Sequence, residues 1–173
     1  MKEILLLNPE NVSNKEVSTY KIRKSSRAVV VDENGLIALL HVSKEGYYKL
    51  PGGGFEGSEN PLMALARECK EEIGCTVEVL NELGLVTEYR KKFNLKQISY
   101  CYTAKVIGKK KPPEFDAGEI EHGFEVVWLK YNEAVVTLEK SDFQSYEGGT
   151  YIIPRDIAIL ATAAPHLKVL HIQ

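Results

Sequence analysis

Three glutamates crowd one face of a short predicted helix. Segment 67–72 reads Arg-Glu-Cys-Lys-Glu-Glu. At about 100° per residue, Glu68, Glu71 and Glu72 fall within roughly 100° of one another, beside an apolar stripe that begins at Leu62. Carboxylates at this spacing repel, which costs roughly a few tenths of a kcal/mol per pair. A divalent cation such as Mg²⁺ would turn the repulsion into binding, because it prefers carboxylate oxygens. A solvated acidic face is the alternative interpretation.

The helix that must position these carboxylates is predicted over residues 61–73. Asn60 is a favourable N-cap, Pro61 suits the first helical position, and Gly74 is typical of a helix end. The spacing i, i+4, i+7, i+11 predicts a buried stripe made of Leu62, Ala66, Cys69 and Ile73, with Leu65 at its edge. The two small side chains in this stripe would let the helix pack close to a sheet.

Short apolar segments with turn signals predict strands on both sides of this helix. The predicted strands are 4–7, 27–31, 36–42, 47–50, 76–80, 85–90, 97–106 and 124–129. Two further helices are predicted at 132–140 and 154–164, the second closed by Pro165. Segment 9–19 is interpreted as a polar connection and segment 114–123 as an acidic loop. This order predicts an α+β protein whose mixed sheet is covered by helices.

Composition limits the function classes further. The chain has 173 residues with 22 basic and 24 acidic side chains, a net charge of −2. This balance argues against a general nucleic-acid binder, which needs a basic surface. One domain spanning 1–173, with 1–20 as an N-terminal extension, is expected. Three cysteines without a CxxC pair, and no apolar segment near the roughly 18 residues of a membrane span, predict a cytoplasmic protein with no membrane partner.

The wider spacing around the helix resembles a known family motif. Gly53 is followed after five residues by Glu59, and after seven more by Arg-Glu-Cys-Lys-Glu-Glu-Ile-Gly-Cys at 67–75. This resembles the Nudix box, G-x5-E-x7-R-E-U-x-E-E-x-G-U, where U is apolar. All seven fixed positions match. Cys69 and Cys75 stand at the two apolar positions, where cysteine can serve as a small hydrophobe.

The resemblance implies an α/β/α sandwich that hydrolyses a nucleoside diphosphate linked to another group. It implies Mg²⁺ as the cofactor, with Mn²⁺ as an alternative. The implied metal ligands are Glu68, Glu71, Glu72 and a backbone carbonyl at Gly53 or its neighbour Gly52. The resemblance also implies that Arg67 orients the carboxylates, reaching Glu71 one turn away, and that Glu59 braces the loop.

A general base must take a proton from the attacking water. In the family this base is either a glutamate of the box or a glutamate on a later loop. Here the candidates are Glu68 in the box, and Glu119 and Glu121 in the acidic loop. Glu121 is slightly favoured over Glu119, because it is nearer the strand 124–129.

Substrate contacts and substrate identity carry weaker signals. Arg90 could bind phosphates and Tyr48 could stack on a nucleobase, with Glu119 beside the same substrate; a solvated turn and ordinary packing are the alternatives. Members that cleave ADP-ribose commonly carry a proline after the box, and none occurs between Pro61 and Pro112. This absence favours a nucleoside triphosphate, with an oxidised purine as one form. ADP-ribose, a nucleotide sugar and an inactive nucleotide-sensing module are the alternatives. A homodimer through the N-terminal strand is a further hypothesis.

Overall fold

The computed structural model describes residues 1–141 and 145–169. One mixed sheet dominates these ranges. Its strands are β1 (Glu3–Leu7), β2 (Lys21–Val31), β3 (Ile37–Val42), β4 (Tyr47–Lys49), β5 (Thr76–Arg90), β6 (Leu95–Ile107) and β7 (Phe124–Leu129). The order is β1-β5-β6-β2-β3-β4, and β7 pairs with β3. Strands β1 and β5, and β2 and β6, are parallel, whereas the other pairs are antiparallel.

The helices cover both faces of the sheet. They are α1 (Asn14–Val17), α2 (Pro61–Ile73), α3 (Ala117–Glu121), α4 (Tyr131–Glu139) and α5 (Ile153–Val169). The sheet has an apolar core on each face, and successive residues of β2 point alternately into one and the other. Val29 and Val31 pack with α4 and α5, whereas Ala28 and Val30 pack with α2. The predicted mixed sheet between helical layers is therefore confirmed.

Helix α2 begins and ends where the sequence predicts. The Asn60 side chain accepts hydrogen bonds from the backbone N–H groups of Leu62 and Met63, and Gly74 ends the helix. The predicted buried stripe is confirmed at Leu65, Cys69 and Ile73 but is wrong at its first two positions. Leu62 and Ala66 are exposed, whereas the buried side chains are Ala64, Leu65, Glu68, Cys69, Glu72 and Ile73. Two of the glutamates therefore lie within the buried face rather than beside it.

Four other segments differ from the expectation. Segment 9–19 contains α1, and segment 114–123 contains α3, whose Asp116 forms a reciprocal capping box with Glu119. The predicted strands 76–80 and 85–90 form one strand, because irregular pairing near Asn81 and Gly84 accommodates the residues between them. Helix α5 continues through Pro165, whose exposed position lets water hydrate the carbonyl that loses its partner.

None of the helices within the described ranges combines the length and apolar character needed to cross a membrane.

Candidate active site

The loop between β4 and α2 lies directly on the carboxylate of Glu68. A Cβ built on Gly53 would fall 2.2 Å from Glu68 Oε1, closer than real Cβ atoms approach a neighbour. The preceding Gly52 has φ +130°, and a Cβ there would fall 2.0 Å from the Ser26 carbonyl oxygen. The backbone contact and the positive φ require glycine at position 52, whereas a side chain at position 53 would have to displace the Glu68 carboxylate.

The guanidinium of Arg67 connects the loop to the helix. Its Nε donates to Glu59 Oε1 at 2.9 Å, and its Nη2 donates to the Gly54 carbonyl at 2.8 Å. Its Nη1 donates to Glu68 Oε1 and to Glu71 Oε2, each at 2.9 Å. The contact with Glu71, one turn away, was implied by the family resemblance. The hydrogen bonds from Arg67 hold the pKa of Glu59 below its usual value.

Glu72 is held by a second cation and by the loop. Its side chain is almost fully buried, and its Oε1 accepts a hydrogen bond from Lys49 Nζ at 2.9 Å. Its Oε2 accepts one from the Gly52 N–H at 2.6 Å. Lys49 Nζ also lies 4.5 Å from the centre of the Phe124 ring. The sequence analysis did not identify Lys49, because it lies on β4, 23 residues before Glu72 on α2.

Glu68 carries a strongly perturbed carboxyl group. Burial raises its pKa to about 7, the neighbouring Glu72 adds to this rise, and Arg67 opposes it. Burial and the neighbouring carboxylate therefore make the ionised form of Glu68 less favourable than it is in water.

A cavity of about 640 Å³ opens beside these carboxylates. On the box side it is lined by Gly53, Arg67, Glu68, Glu71 and Glu72. A different set of side chains lines what we call the far wall, which consists of Arg90, Gln97, Glu147, Ile152 and Arg155. The cavity lining therefore combines carboxylate groups with guanidinium groups.

Buried charges support the far wall. Arg155 is 1% exposed and donates from Nε to Asp156 Oδ1 at 2.7 Å and from Nη1 to Glu88 at 3.4 Å. Asp156 also accepts a hydrogen bond from the Leu50 N–H at 2.8 Å, which anchors the end of β4. Sequence analysis missed this pair. The available signal was an Arg-Asp dipeptide within the otherwise apolar segment 152–161.

Arg27 reaches the same region from β2. Its Nη1 donates to the Gly52 carbonyl at 2.6 Å. Burial lowers its pKa to about 10, and the nearby Arg155 contributes to this decrease. Its Nε has no hydrogen-bond partner among the described residues, and the same is true of Gln97 Oε1.

The structure brings together most of the predicted site residues. Glu119 lines the cavity, and burial raises its pKa. Arg90 also lines the cavity, but it is paired with Glu88 and Glu147. Glu121, in contrast, is exposed on α3 and does not line the cavity.

Tyr48 is likewise not a cavity residue. Its ring stacks on His41 with centroids 4.4 Å apart, and it packs against the core beneath α4 and α5. The cavity is lined instead by the preceding residue, Tyr47, because successive strand residues point to opposite faces.

The donor set on the box side fits a hard divalent cation. Carboxylate and carbonyl oxygens are the ligands that Mg²⁺ prefers, and the charge environment of Glu68 favours an added cation. Across residues 1–141 and 145–169, no three His, Cys, Asp or Glu side chains are already gathered as a metal-binding group. Arg67 and Lys49 hold the carboxylates instead. A bound metal ion would therefore compete with these two cationic side chains.

Comparison with known proteins identifies the class. A family model described as NUDIX domain matches residues 21–148. The chain belongs to this family, which confirms the prediction of a Nudix pyrophosphohydrolase at the level of the family. No curated protein sequence matches the chain.

Several solved structures share the fold. A NUDIX hydrolase from Nitrosomonas europaea aligns with a TM-score of 0.64 at 15% identity, covering 84% of this chain and 90% of that one. The C. elegans Ap4A hydrolase aligns with a TM-score of 0.58 at 14% identity, covering 85% and 99%. An ADP-ribose pyrophosphatase from Streptococcus suis aligns with a TM-score of 0.53 at 16% identity, covering 82% and 91%. At these identities, the likeness concerns the fold.

Proposed function

We propose that this protein is a Mg²⁺-dependent pyrophosphohydrolase that acts on a nucleoside triphosphate. The observation that carries the proposal is a cavity lined both by the box carboxylates and by five arginines, Arg23, Arg27, Arg67, Arg90 and Arg155. A polyphosphate substrate is anionic, so it requires positive charge despite the net charge of −2. Arg23 and Arg27, which line the cavity and pair with no carboxylate among the described residues, can supply part of this charge, and a divalent cation at the box can supply the rest.

The proposed metal-binding residues are Glu68, Glu71 and Glu72, with the Gly53 carbonyl. When bound, the cation neutralises charge on the diphosphate and makes water more acidic. Mn²⁺ is the alternative ion. Arg67 is proposed to orient the carboxylates, since it bonds two of them and the loop at once.

Glu119 and Glu68 are the two proposed general bases. Both line the cavity, and burial raises the pKa of each. A raised pKa brings a carboxylate closer to the value that favours proton uptake near neutral pH. Glu121 is less suited to this role because it lies outside the cavity lining. Arg90 is proposed to contact substrate phosphates from the far wall.

The environment and assembly are inferred separately. We infer a reducing compartment such as the cytoplasm, because Cys69, Cys75 and Cys101 are all buried free thiols. Strand β1 forms one end of the sheet order among the described residues, so a dimer through this edge stays a prediction that sedimentation would test.

The test is a panel of substrates with Mg²⁺. Nucleoside triphosphates including oxidised purines, ADP-ribose, nucleotide sugars and dinucleoside polyphosphates are incubated with the purified chain, and phosphate and pyrophosphate release are measured. Preferential turnover of triphosphates supports the proposal. Turnover of ADP-ribose or a nucleotide sugar alone would overturn the substrate assignment. Binding of a nucleotide without any turnover would instead favour a sensing module.

A further inference from the structure

The N-terminal residues before β2 lie outside the family match, yet they pack onto the end of β5. The Asn8 side chain closes a turn by accepting from the Val12 N–H at 2.7 Å and donating to the Val12 carbonyl at 2.9 Å. Val12, Val17 and Tyr20 are buried and pack against Tyr89 of β5. The segment is therefore fixed in place by its own apolar contacts.

Glu10 connects this segment to the cavity. Its Oε2 accepts hydrogen bonds from the Lys91 N–H at 2.9 Å and from the Tyr151 hydroxyl at 2.8 Å. Tyr151 is fully buried in the π-helical turn Gly148–Ile152, and this turn supplies Ile152 to the far wall. Glu10 thus ties the β5 end to the turn that precedes α5.

Tyr151 in turn contacts a far-wall side chain. The Arg90 guanidinium lies 5.0 Å from the centre of the Tyr151 ring. Arg90 is also paired with Glu88 and with Glu147, which is the residue before the π-helical turn. Tyr151 is thus one of three side chains, with Glu88 and Glu147, that contact Arg90 at the cavity.

We propose that Glu10 is a positioning residue for substrate binding, which fixes Tyr151 and through it the Arg90 and Glu147 side of the cavity. This inference rests on the proposed function, because it assumes that the far wall contacts substrate. Arg90 suits an anionic part of the substrate away from the box, whereas the buried Oε1 of Gln97, which has no partner among the described residues, suits an N–H or O–H donor. The box carboxylates are held by other contacts, with Arg67 and Lys49. Loss of Glu10 therefore affects KM rather than kcat.

Glu10→Ala and Glu10→Gln, with Glu16→Gln as control, test this role. Glu16 lies on the same segment and accepts from the Tyr20 hydroxyl at 3.0 Å, but it has no hydrogen bond with Tyr151, which bonds Glu10 instead. Glu10→Ala is expected to raise KM about tenfold with kcat changed less than about threefold, given the usual strength of hydrogen bonds to charged groups. Glu10→Gln keeps an acceptor oxygen and recovers most of the affinity. An unchanged KM in Glu10→Ala, or an equal rise in Glu16→Gln, would overturn the proposal.

The contact itself is tested without activity. Amide hydrogen exchange is measured at Lys91 and across 148–152 in the wild type and in Glu10→Ala. Exchange at these sites is expected to rise at least about tenfold, because their shared anchor is lost. If the wild type hydrolyses no substrate in the panel, the proposed function fails while this measurement still decides whether Glu10 holds the turn. Unchanged exchange would refute the positioning role.

A double-mutant cycle with Tyr151→Phe adds a specific check. This variant keeps the ring beneath Arg90 and removes the hydroxyl, which lies 2.8 Å from Glu10 Oε2 and 3.0 Å from the Tyr89 carbonyl. If the two residues act as one unit, the double variant has the same KM as Glu10→Ala alone. Additive increases in KM would show that the two side chains act independently and would contradict the proposal.

Discussion

The carboxylate of Glu68 lies where a side chain at Gly53 would begin. A Cβ at this position would fall 2.2 Å from Glu68 Oε1 and 2.5 Å from its Cδ. The glycine that opens the box and the glutamate that follows its arginine are thus in direct contact, although 15 positions separate them. A side chain at residue 53 would therefore force the Glu68 carboxylate, which Arg67 holds, to move.

Gly53→Ala is therefore expected to displace the Glu68 carboxylate. The overlap should lower the free energy of unfolding by about 1–3 kcal/mol and reduce activity. Chemical denaturation and the phosphate-release assay measure both effects. Gly54→Ala is the matched control: a Cβ there would lie 3.1 Å from the end of the flexible Arg23 side chain, which can move aside. Equal activity losses in the two variants would contradict the steric explanation.

Helix α2 shows which structural features could be predicted from the sequence and which could not. Its ends were predictable because Asn60, Pro61 and Gly74 act locally. The phase of its buried face was not, since Glu68 and Glu72 are buried by partners that are distant in sequence. Lys49 and the Gly52 N–H satisfy one carboxylate, and only the folded loop brings them there. A count of apolar residues cannot anticipate such compensation.

The far wall is the part of the candidate site that could not be predicted from the sequence. The box side is encoded within 23 consecutive residues, so its spacing alone indicated the chemistry. Arg90, Glu147 and Arg155 come together only through strand pairing and the packing of α5. Tyr47 lines the cavity and Tyr48 does not, and the local sequence pattern does not indicate which of two adjacent aromatic residues faces a cavity.

We expect opposite results when Glu119 and Glu121 are each replaced by glutamine. Glu119→Gln is expected to lower kcat by about 100-fold if Glu119 is the general base, because the amide cannot take up a proton. Glu121→Gln should leave kcat unchanged, since Glu121 is exposed and outside the cavity lining. Steady-state kinetics on the substrate found in the panel distinguishes them. A loss confined to Glu121→Gln would show that α3 moves during the reaction.

Asp32 gives a prediction about stability and pH. Its carboxylate accepts from the N–H groups of Asn34 and Leu36 and from Lys110 Nζ at 2.7 Å. Burial alone would raise the pKa of Asp32, but these hydrogen bonds outweigh it and leave the pKa below its usual value. A lowered folded-state pKa contributes stability that is present above the unfolded pKa of about 4 and is lost as the pH falls below it.

Asp32→Asn should therefore lower the free energy of unfolding by about 1–3 kcal/mol at pH 7. As the pH falls, the free energy of unfolding of this variant should decrease less than that of the wild type. Urea denaturation between neutral pH and pH 3 measures this. Glu33→Gln, at the exposed neighbouring position, is the control and should follow the wild-type curve. Parallel acid dependence in Asp32→Asn and the wild type would show that Asp32 does not contribute.

Glu72→Gln tests the central claim most directly. The amide keeps the size of a side chain that is 1% exposed while removing its charge. Glu78→Gln is the control, because Glu78 is exposed on β5 and paired only with Lys105. The measurement is the rate of phosphate or pyrophosphate release as a function of Mg²⁺ concentration. We expect saturable Mg²⁺ dependence in the wild type and in Glu78→Gln, and a loss of at least about 100-fold in Glu72→Gln. Hydrolysis that persists in excess chelator, or at the wild-type rate in Glu72→Gln, would contradict a metal-dependent site built from the box carboxylates.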